Sequence, residues 1–193
     1  MAKWKRLKRK SSSGGSNFDE YKEYVWDLLS NETVWQMNRF RHHYIVSRLE
    51  HSLNVSYYSY IICAALGLDC KAAARGGLLH DFFLYDWRVE NLPEGKHAFV
   101  HPRIALKNAE VLVPLKEKER DIILKHMWPL TWQLPRYPES CIVCLVDKGC
   151  ALLEILCSWI VLFSGGWRSA GQARPVTGGR ILKSLLLAEE SKI

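Results

Sequence analysis

Imidazoles and carboxylates recur along this sequence in an order that suits a metal centre: His51, the adjacent pair His80-Asp81, His97 or His101, His126 and Asp147. Mixed imidazole and carboxylate donors match the preferences of divalent iron, manganese, zinc and similar transition ions. The adjacent pair lies in LLHDFF, residues 78–83. The other residues make chemical sense if they converge on it.

Asp147 is the most informative position. On a helix its same-face neighbours are Val143, Cys144, Cys150 and Ala151, and a carboxylate on such a face is costly unless a partner or a metal compensates it. His126 follows Ile122 and Ile123 at helical spacing, so it faces inward from a helix otherwise rich in Lys and Glu. A lone inward histidine is ordinarily a hydrogen-bonded core residue; here its weight comes from the others. His80 follows Ala73, Gly76 and Gly77, small residues that let a second helix approach beside it. Asp81 is turned ~100° from His80 around a helix, so the two side chains reach one region from different sides. A carboxylate so placed can bridge two ions and leave each an open position for water.

The remaining histidines are less determined. His51 reads as a mid-helix residue with Ser47 and Val55 on its face. His97 and His101 have the spacing of one helical face, but Pro102 puts the expected helix start near residue 102. That leaves His97 in the preceding loop, at the mouth of the site for substrate or solvent, and makes His101 the expected ligand. Cys141-x-x-Cys144 has no second pair and aliphatic residues between its cysteines, so it reads as helix packing rather than a redox or zinc pair.

The elements that must position these residues read as helices throughout, and the fold class is all-α. Asn17 or Asp19 can cap a helix through YKEYVWDLLS, and Asn31 can cap a second over NETVWQMNRF. A long helix, apolar almost all round, is expected from Tyr44 to Leu66, stopping at Gly67. Another starts near Lys71 and carries AAARGGLLHDFF. Residues 86–100 read as loop; helices then cover IALKNAEVLV as far as Pro114 and KEKERDIILKHMW as far as Pro129. A proline-bearing loop, TWQLPRYPES, precedes the last long helix, CIVCLVDKGCALLEILCSWIVLF. Beyond it a turn-rich stretch leads to a short amphipathic segment, ILKSLLLAEE.

The length of 193 residues suits one domain with a substantial core. Residues 1–16 read as a flexible basic arm and Ser/Gly linker, followed by a single helical domain over 17–193. The net charge of +7 belongs mostly to that arm: residues 1–10 hold six Lys or Arg and no acid, leaving the rest of the chain at +1. The domain therefore carries no electrostatic footprint for nucleic acid, and no nucleic-acid partner is expected. The arm itself reads as a solubilising tail, with weak attraction to anionic lipid or nucleotide through Trp4 as the alternative. No secretory signal is visible. The longest apolar stretch, residues 141–163, is interrupted by Asp147, Lys148 and Glu154, which argues against a membrane span. Six cysteines in mostly apolar surroundings suit a reducing compartment, and a cytoplasmic location is the expectation.

The order of these residues resembles the HD superfamily of helical metal-dependent phosphohydrolases. Its signature of a histidine, an adjacent His-Asp and a distant Asp is matched by His51 in LEHSLNV, His80-Asp81 in LLHDFF and Asp147 in LVDK. Two intervening histidines mark the dinuclear subset, matched by His101 in HPRIA and His126 in LKHMW. The start HP resembles cyclic-dinucleotide phosphodiesterases of the superfamily, and the overall order resembles its diadenosine tetraphosphate hydrolases. The likeness covers roughly residues 43–150, and His43 falls where related sequences often carry a histidine near the site. The GYP element of the cyclic-di-GMP enzymes is missing, and the segment after about Ser158 matches nothing in the family pattern.

The resemblance implies two divalent transition-metal ions, iron or manganese first, with zinc, nickel or cobalt as alternatives. His51, His80, Asp81 and Asp147 would hold one; Asp81, His101 and His126 would hold the other. Water ionised between them would attack phosphorus in a small phosphorylated substrate, expected to be a nucleotide, with Asp81 and His80 at the catalytic centre. Arg103 and Lys148 are candidate phosphate-binding cations, with a solvated helix face as the plain alternative; His43 and His97 are candidate substrate contacts. Trp128, beside His126, suits base stacking or, more simply, the core. Two rivals share the scaffold: a di-iron oxygenase with the same ligand order, and a non-catalytic nucleotide-binding regulator.

Overall fold

A computed structural model of the chain describes residues 17–42, 46–90, 92–93 and 95–163, with side chains as far as residue 160. The basic arm, His43 and the expected ILKSLLLAEE helix lie outside the described residues. Among the described residues the fold is all-α: α1 (Asn17–Leu29), α2 (Glu32–Trp35), a 3-10 turn (Gln36–Arg39), α3 (Arg48–Leu66), α4 (Cys70–Leu79), α5 (His97–Leu112), α6 (Glu117–Lys125) and α7 (Pro138–Phe163). Among the described residues, extended backbone contributes only an isolated bridge between Arg41 and Ser47.

Helix ends are set by local chemistry, and several differ from the sequence expectation in ways that matter for the site. α3 starts at Arg48, not Tyr44, because Ser47 and Glu50 form a reciprocal cap: the Ser47 hydroxyl accepts from Glu50 N at 3.2 Å and Glu50 Oε2 accepts from Ser47 N at 3.0 Å. His51 is thus a first-turn residue, not a mid-helix one. Gly67, at φ 70°, stops α3 where expected. The Asp69 carboxylate then accepts from Ala72 N and opens α4. α4 ends at Leu79, so His80 is its C-terminal cap and Asp81 lies beyond the helix. α5 begins at His97 and carries Pro102 inside it. The proline removes a single intrahelical donor, and the preceding turn forms around it.

The core is built on the α3–α4 hairpin. A Cβ at Gly77 would lie 3.0 Å from the Ser56 Cα, so the two helix backbones touch where glycine permits it. At the neighbouring Gly76 the same space is filled by the Ile122 side chain of α6. Tyr21, Leu28, Leu49, Leu53, Leu78 and Phe82 anchor the main buried cluster. A smaller one, including Val55, Cys63, Ile122 and Val143, joins α3 and α6 to α7. Each fully buried side chain of this size contributes roughly 1.5–3 kcal/mol.

The sequence suggested that α3 would be apolar all round. Its first half instead buries Arg48, His51, Ser52, Asn54 and Ser56, while Ile61, Ile62 and Leu66 near its end are exposed. α7 is similarly inverted, with Glu154 buried and Leu145, Leu152 and Leu156 exposed. Both helices turn polar groups inward because they flank one polar centre. Among the described residues no helix is long and apolar enough to cross a membrane. All six cysteines are free, and Cys141 is exposed while Cys144 is buried.

Candidate metal centre

Three helix starts or ends and two helix middles deliver the side chains. His51 comes from the first turn of α3, His80 and His126 cap the C-termini of α4 and α6, His101 sits one turn into α5, and Asp147 lies midway along α7. His51, His80 and His126 are fully or almost fully buried, as are Asp81 and His101. Two groups of donor atoms form, each within 4.8 Å: His51, His80 and Asp147 in one, and Asp81, His101 and His126 in the other. All six residues whose order was singled out in the sequence are brought together.

Asp81 faces both ways. Its Oδ1 lies 3.3 Å from His101 Nε2 and 3.5 Å from His126 Nε2. Its Oδ2 lies 3.8 Å from His80 Nε2 and 3.7 Å from His42 Nδ1. Asp147 Oδ1 stands 3.0 Å from His51 Nε2 and 3.5 Å from His80 Nε2. The pair His80-Asp81 therefore links the two groups, which becomes possible because α4 ends between these residues.

Backbone carbonyls orient three of the imidazoles. His80 Nδ1 donates to Gly77 O at 2.7 Å, His101 Nδ1 to His97 O at 2.9 Å and His126 Nδ1 to Ile123 O at 2.8 Å. A carbonyl only accepts, so in each ring Nδ1 carries a proton and Nε2 is the nitrogen turned into the centre. His80 Nε2 and Asp81 Oδ1 are buried without a hydrogen-bond partner. Buried polar atoms left in that state are expensive, and inward lone pairs beside carboxylate oxygens are what a divalent cation satisfies. The donor set fits a bound metal.

Charge in the centre is finely divided. Burial disfavours ionised Asp81, yet His80, His101 and His42 outweigh it and hold the carboxyl well below its usual range. Asp147 is likewise held low against burial, by His51 and His80. Burial opposes protonation of His51, but Glu154 and Asp147 push it up to about 10. Burial, with His80 and His101 nearby, lowers His126 to about 3.

The expected substrate contacts are placed unevenly. His97 is helical, not in the loop that Pro102 suggested; its ring stacks on His101 at 4.5 Å and under Trp87 at 5.3 Å, and its Nδ1 meets Tyr85 OH at 2.9 Å. Burial and His101 lower its pKa to about 4. Arg103 is exposed on α5, two residues from His101 and so on another face of the helix. The Lys148 ammonium donates to His126 O at 2.8 Å, tethering the end of α6. Trp128 is 37% exposed, which removes it from the core.

Two residues of the site were missed in the sequence. His42 lies 4.0 Å, ring to ring, from His51 and forms a further possible donor group with His51 and Asp81. Glu154 Oε2 accepts from His51 Nδ1 at 2.9 Å, and its Oε1 from Asn54 Nδ2 at 3.2 Å. Glu154 was legible in principle, because seven residues after Asp147 is the same stripe of α7.

The sequence pattern of the family described as HD domain matches residues 48–152, and the chain belongs to that family. Curated relatives include Ribonuclease Y of Desulfotalea psychrophila, 40% identical over 72 residues, and Ribonuclease Y of Protochlamydia amoebophila, 42% identical over the same length. Ribonuclease Y of Clostridium perfringens is 38% identical over 72 residues. The matched stretch is 37% of this chain but only 13–14% of these relatives. No solved structure matches.

Proposed function

We propose that this HD-domain chain is a metal-dependent phosphohydrolase that cleaves a phosphoester or phosphoanhydride of a nucleotide, using two divalent transition-metal ions. Iron or manganese suits the mixed imidazole and carboxylate donors best; zinc, nickel and cobalt are the alternatives. The observation that carries the reading is Asp81, whose two oxygens face two separate histidine groups.

Bound ions in such a centre activate water and neutralise charge developing on phosphoryl oxygens. The protein's part is to hold the donors still. His51, His80 and Asp147 would hold one ion and His101 and His126 the other, with Asp81 within reach of both groups. The Nδ1 bonds to Gly77, His97 and Ile123 keep each Nε2 lone pair aimed inward. No serine or cysteine nucleophile is needed. Stacking of Trp87 on His97 gives the rim beside His101 an aromatic surface suited to a base. Lys148 would grip phosphate only by leaving the His126 carbonyl, so we assign it to holding α6 in place.

The relatives named Ribonuclease Y favour a second substrate, an RNA phosphodiester, for the same reaction. One screen separates these readings. Protein loaded anaerobically with manganese or iron is offered mononucleotides, dinucleoside polyphosphates, cyclic dinucleotides and short RNA. Release of phosphate or nucleotide from one class without oxygen is the expected result. Turnover that needs iron and air would move the chain to oxygenase chemistry. Tight nucleotide binding with no turnover of any substrate would make it a regulator.

A further inference from the structure

Four imidazoles of the centre present Nε2 inward, and their Nδ1 partners are not alike. His80, His101 and His126 each donate to a backbone carbonyl of their own helix or its last turn. His51 instead has Nδ1 2.9 Å from Glu154 Oε2, a carboxylate with no exposed side-chain area. That carboxylate is itself fixed: Asn54 Nδ2 donates to Oε1 at 3.2 Å, and the Ser158 hydroxyl donates to the Glu154 carbonyl oxygen at 2.7 Å, pinning the α7 backbone there. A fully buried carboxylate is destabilising unless hydrogen-bonded or charged partners compensate it. No lysine or arginine contacts Glu154 among the described residues, and its partners are His51 and the neutral Asn54.

Resting on the dinuclear reading above, we infer that Glu154 is a positioning residue for the metal centre, fixing the His51 ring for the ion of the His51–His80–Asp147 group. A carboxylate accepting from Nδ1 holds the ring in one orientation, keeps the proton off Nε2 in the metal-bound form and makes Nε2 a stronger donor than a carbonyl partner does. The group centred on His101 and His126 has carbonyl partners only. Loss of the Glu154 carboxylate should therefore act on the ion beside His51 and spare the one beside His101.

The test is calorimetric and spectroscopic titration of metal-free protein with cobalt, comparing wild type with Glu154→Gln and with Asn54→Ala. Wild type should bind two ions in separable steps. In E154Q one step should weaken by roughly 10–100-fold while the other stays in place, and the visible cobalt bands of the weakened ion should shift. N54A should show a smaller change of the same kind. Helical circular dichroism and the melting profile check that each variant folds. Nitrogen NMR of zinc-loaded wild type needs no variant, and should show His51 protonated at Nδ1 and metal-bound at Nε2. Wild-type affinity and spectrum in E154Q, or metal at His51 Nδ1, would overturn the role of Glu154 and leave the centre standing. Wild type that bound no metal would remove both.

Discussion

His101 Nε2 and His126 Nε2 face each other at 2.9 Å, although each ring has already given its Nδ1 proton to a backbone carbonyl. Two lone pairs cannot rest against each other at that distance, so a proton or a cation must lie between them. Burial and the neighbouring imidazoles lower His126 to about 3, so its own Nε2 does not hold a proton at neutral pH. A cation held between them would also have Asp81 Oδ1 within reach, 3.3 Å from His101 Nε2 and 3.5 Å from His126 Nε2.

Metal should therefore stabilise the fold as well as serve chemistry. With free manganese at a hundred times its dissociation constant, linkage gives about 2.7 kcal/mol. For a chain of this size that raises the melting temperature by about 5–10 °C over chelator-treated protein. Differential scanning calorimetry checks it. Equal melting temperatures with and without metal would mean that no ion binds preferentially to the folded state.

Metal uptake should release a proton from His51. Its two nitrogens face Glu154 and Asp147, and although burial opposes it those carboxylates push its pKa up to about 10, so the metal-free ring is charged at neutral pH. Coordination through Nε2 must displace that proton. Affinity should then rise about tenfold per pH unit up to about 10 from this group, and fall on acidification. Calorimetry in buffers of different ionisation heat measures the protons released at pH 7; a count of zero would exclude His51 Nε2 as a ligand.

Glu139 sets an acid limit on stability, away from the centre. Burial opposes its ionisation, but Lys118 Nζ at 2.7 Å and Asp69 N at 2.9 Å hold it below its usual 4.5. Its folded pKa is depressed, so its contribution is complete above pH 4.5 and is lost as pH falls through the folded value. Urea unfolding of Glu139→Gln should accordingly show a shallower loss of stability below that pH than wild type. Parallel acid limbs would contradict the assignment.

Gly77→Ala tests the helix contact behind the site. The added Cβ would lie 3.0 Å from the Ser56 Cα, a backbone atom that cannot swing aside. Separation of α3 from α4 should cost about 1–3 kcal/mol in urea unfolding of metal-loaded protein. Unchanged stability would mean that the hairpin is looser than described.

The all-α class was legible from helical periodicity, and Asp147 and His126 from the apolar faces they interrupt; His51, His80, Asp81 and His101 joined them through the resemblance to the HD order. What escaped was governed by local rules that compete with periodicity. The Ser47–Glu50 cap cut α3 short where hydrophobic residues suggested continuation, and α5 ran through Pro102, bringing His97 onto the His101 face. Lys148 looked free beside Asp147, but a carbonyl at the end of α6 takes its ammonium. Glu154 escaped because its partner is 103 residues away, and only the packing of α3 on α7 joins them.

Asp81 stands between two histidine groups, and metal content per chain tests most directly whether it serves both. Wild type purified without chelators and Asp81→Ala, both verified as helical, are compared by elemental analysis after loading with manganese. Two ions per wild-type chain are expected, with loss of tight binding of at least one ion in D81A and hydrolysis abolished. Two tightly held ions in D81A would contradict that role of Asp81.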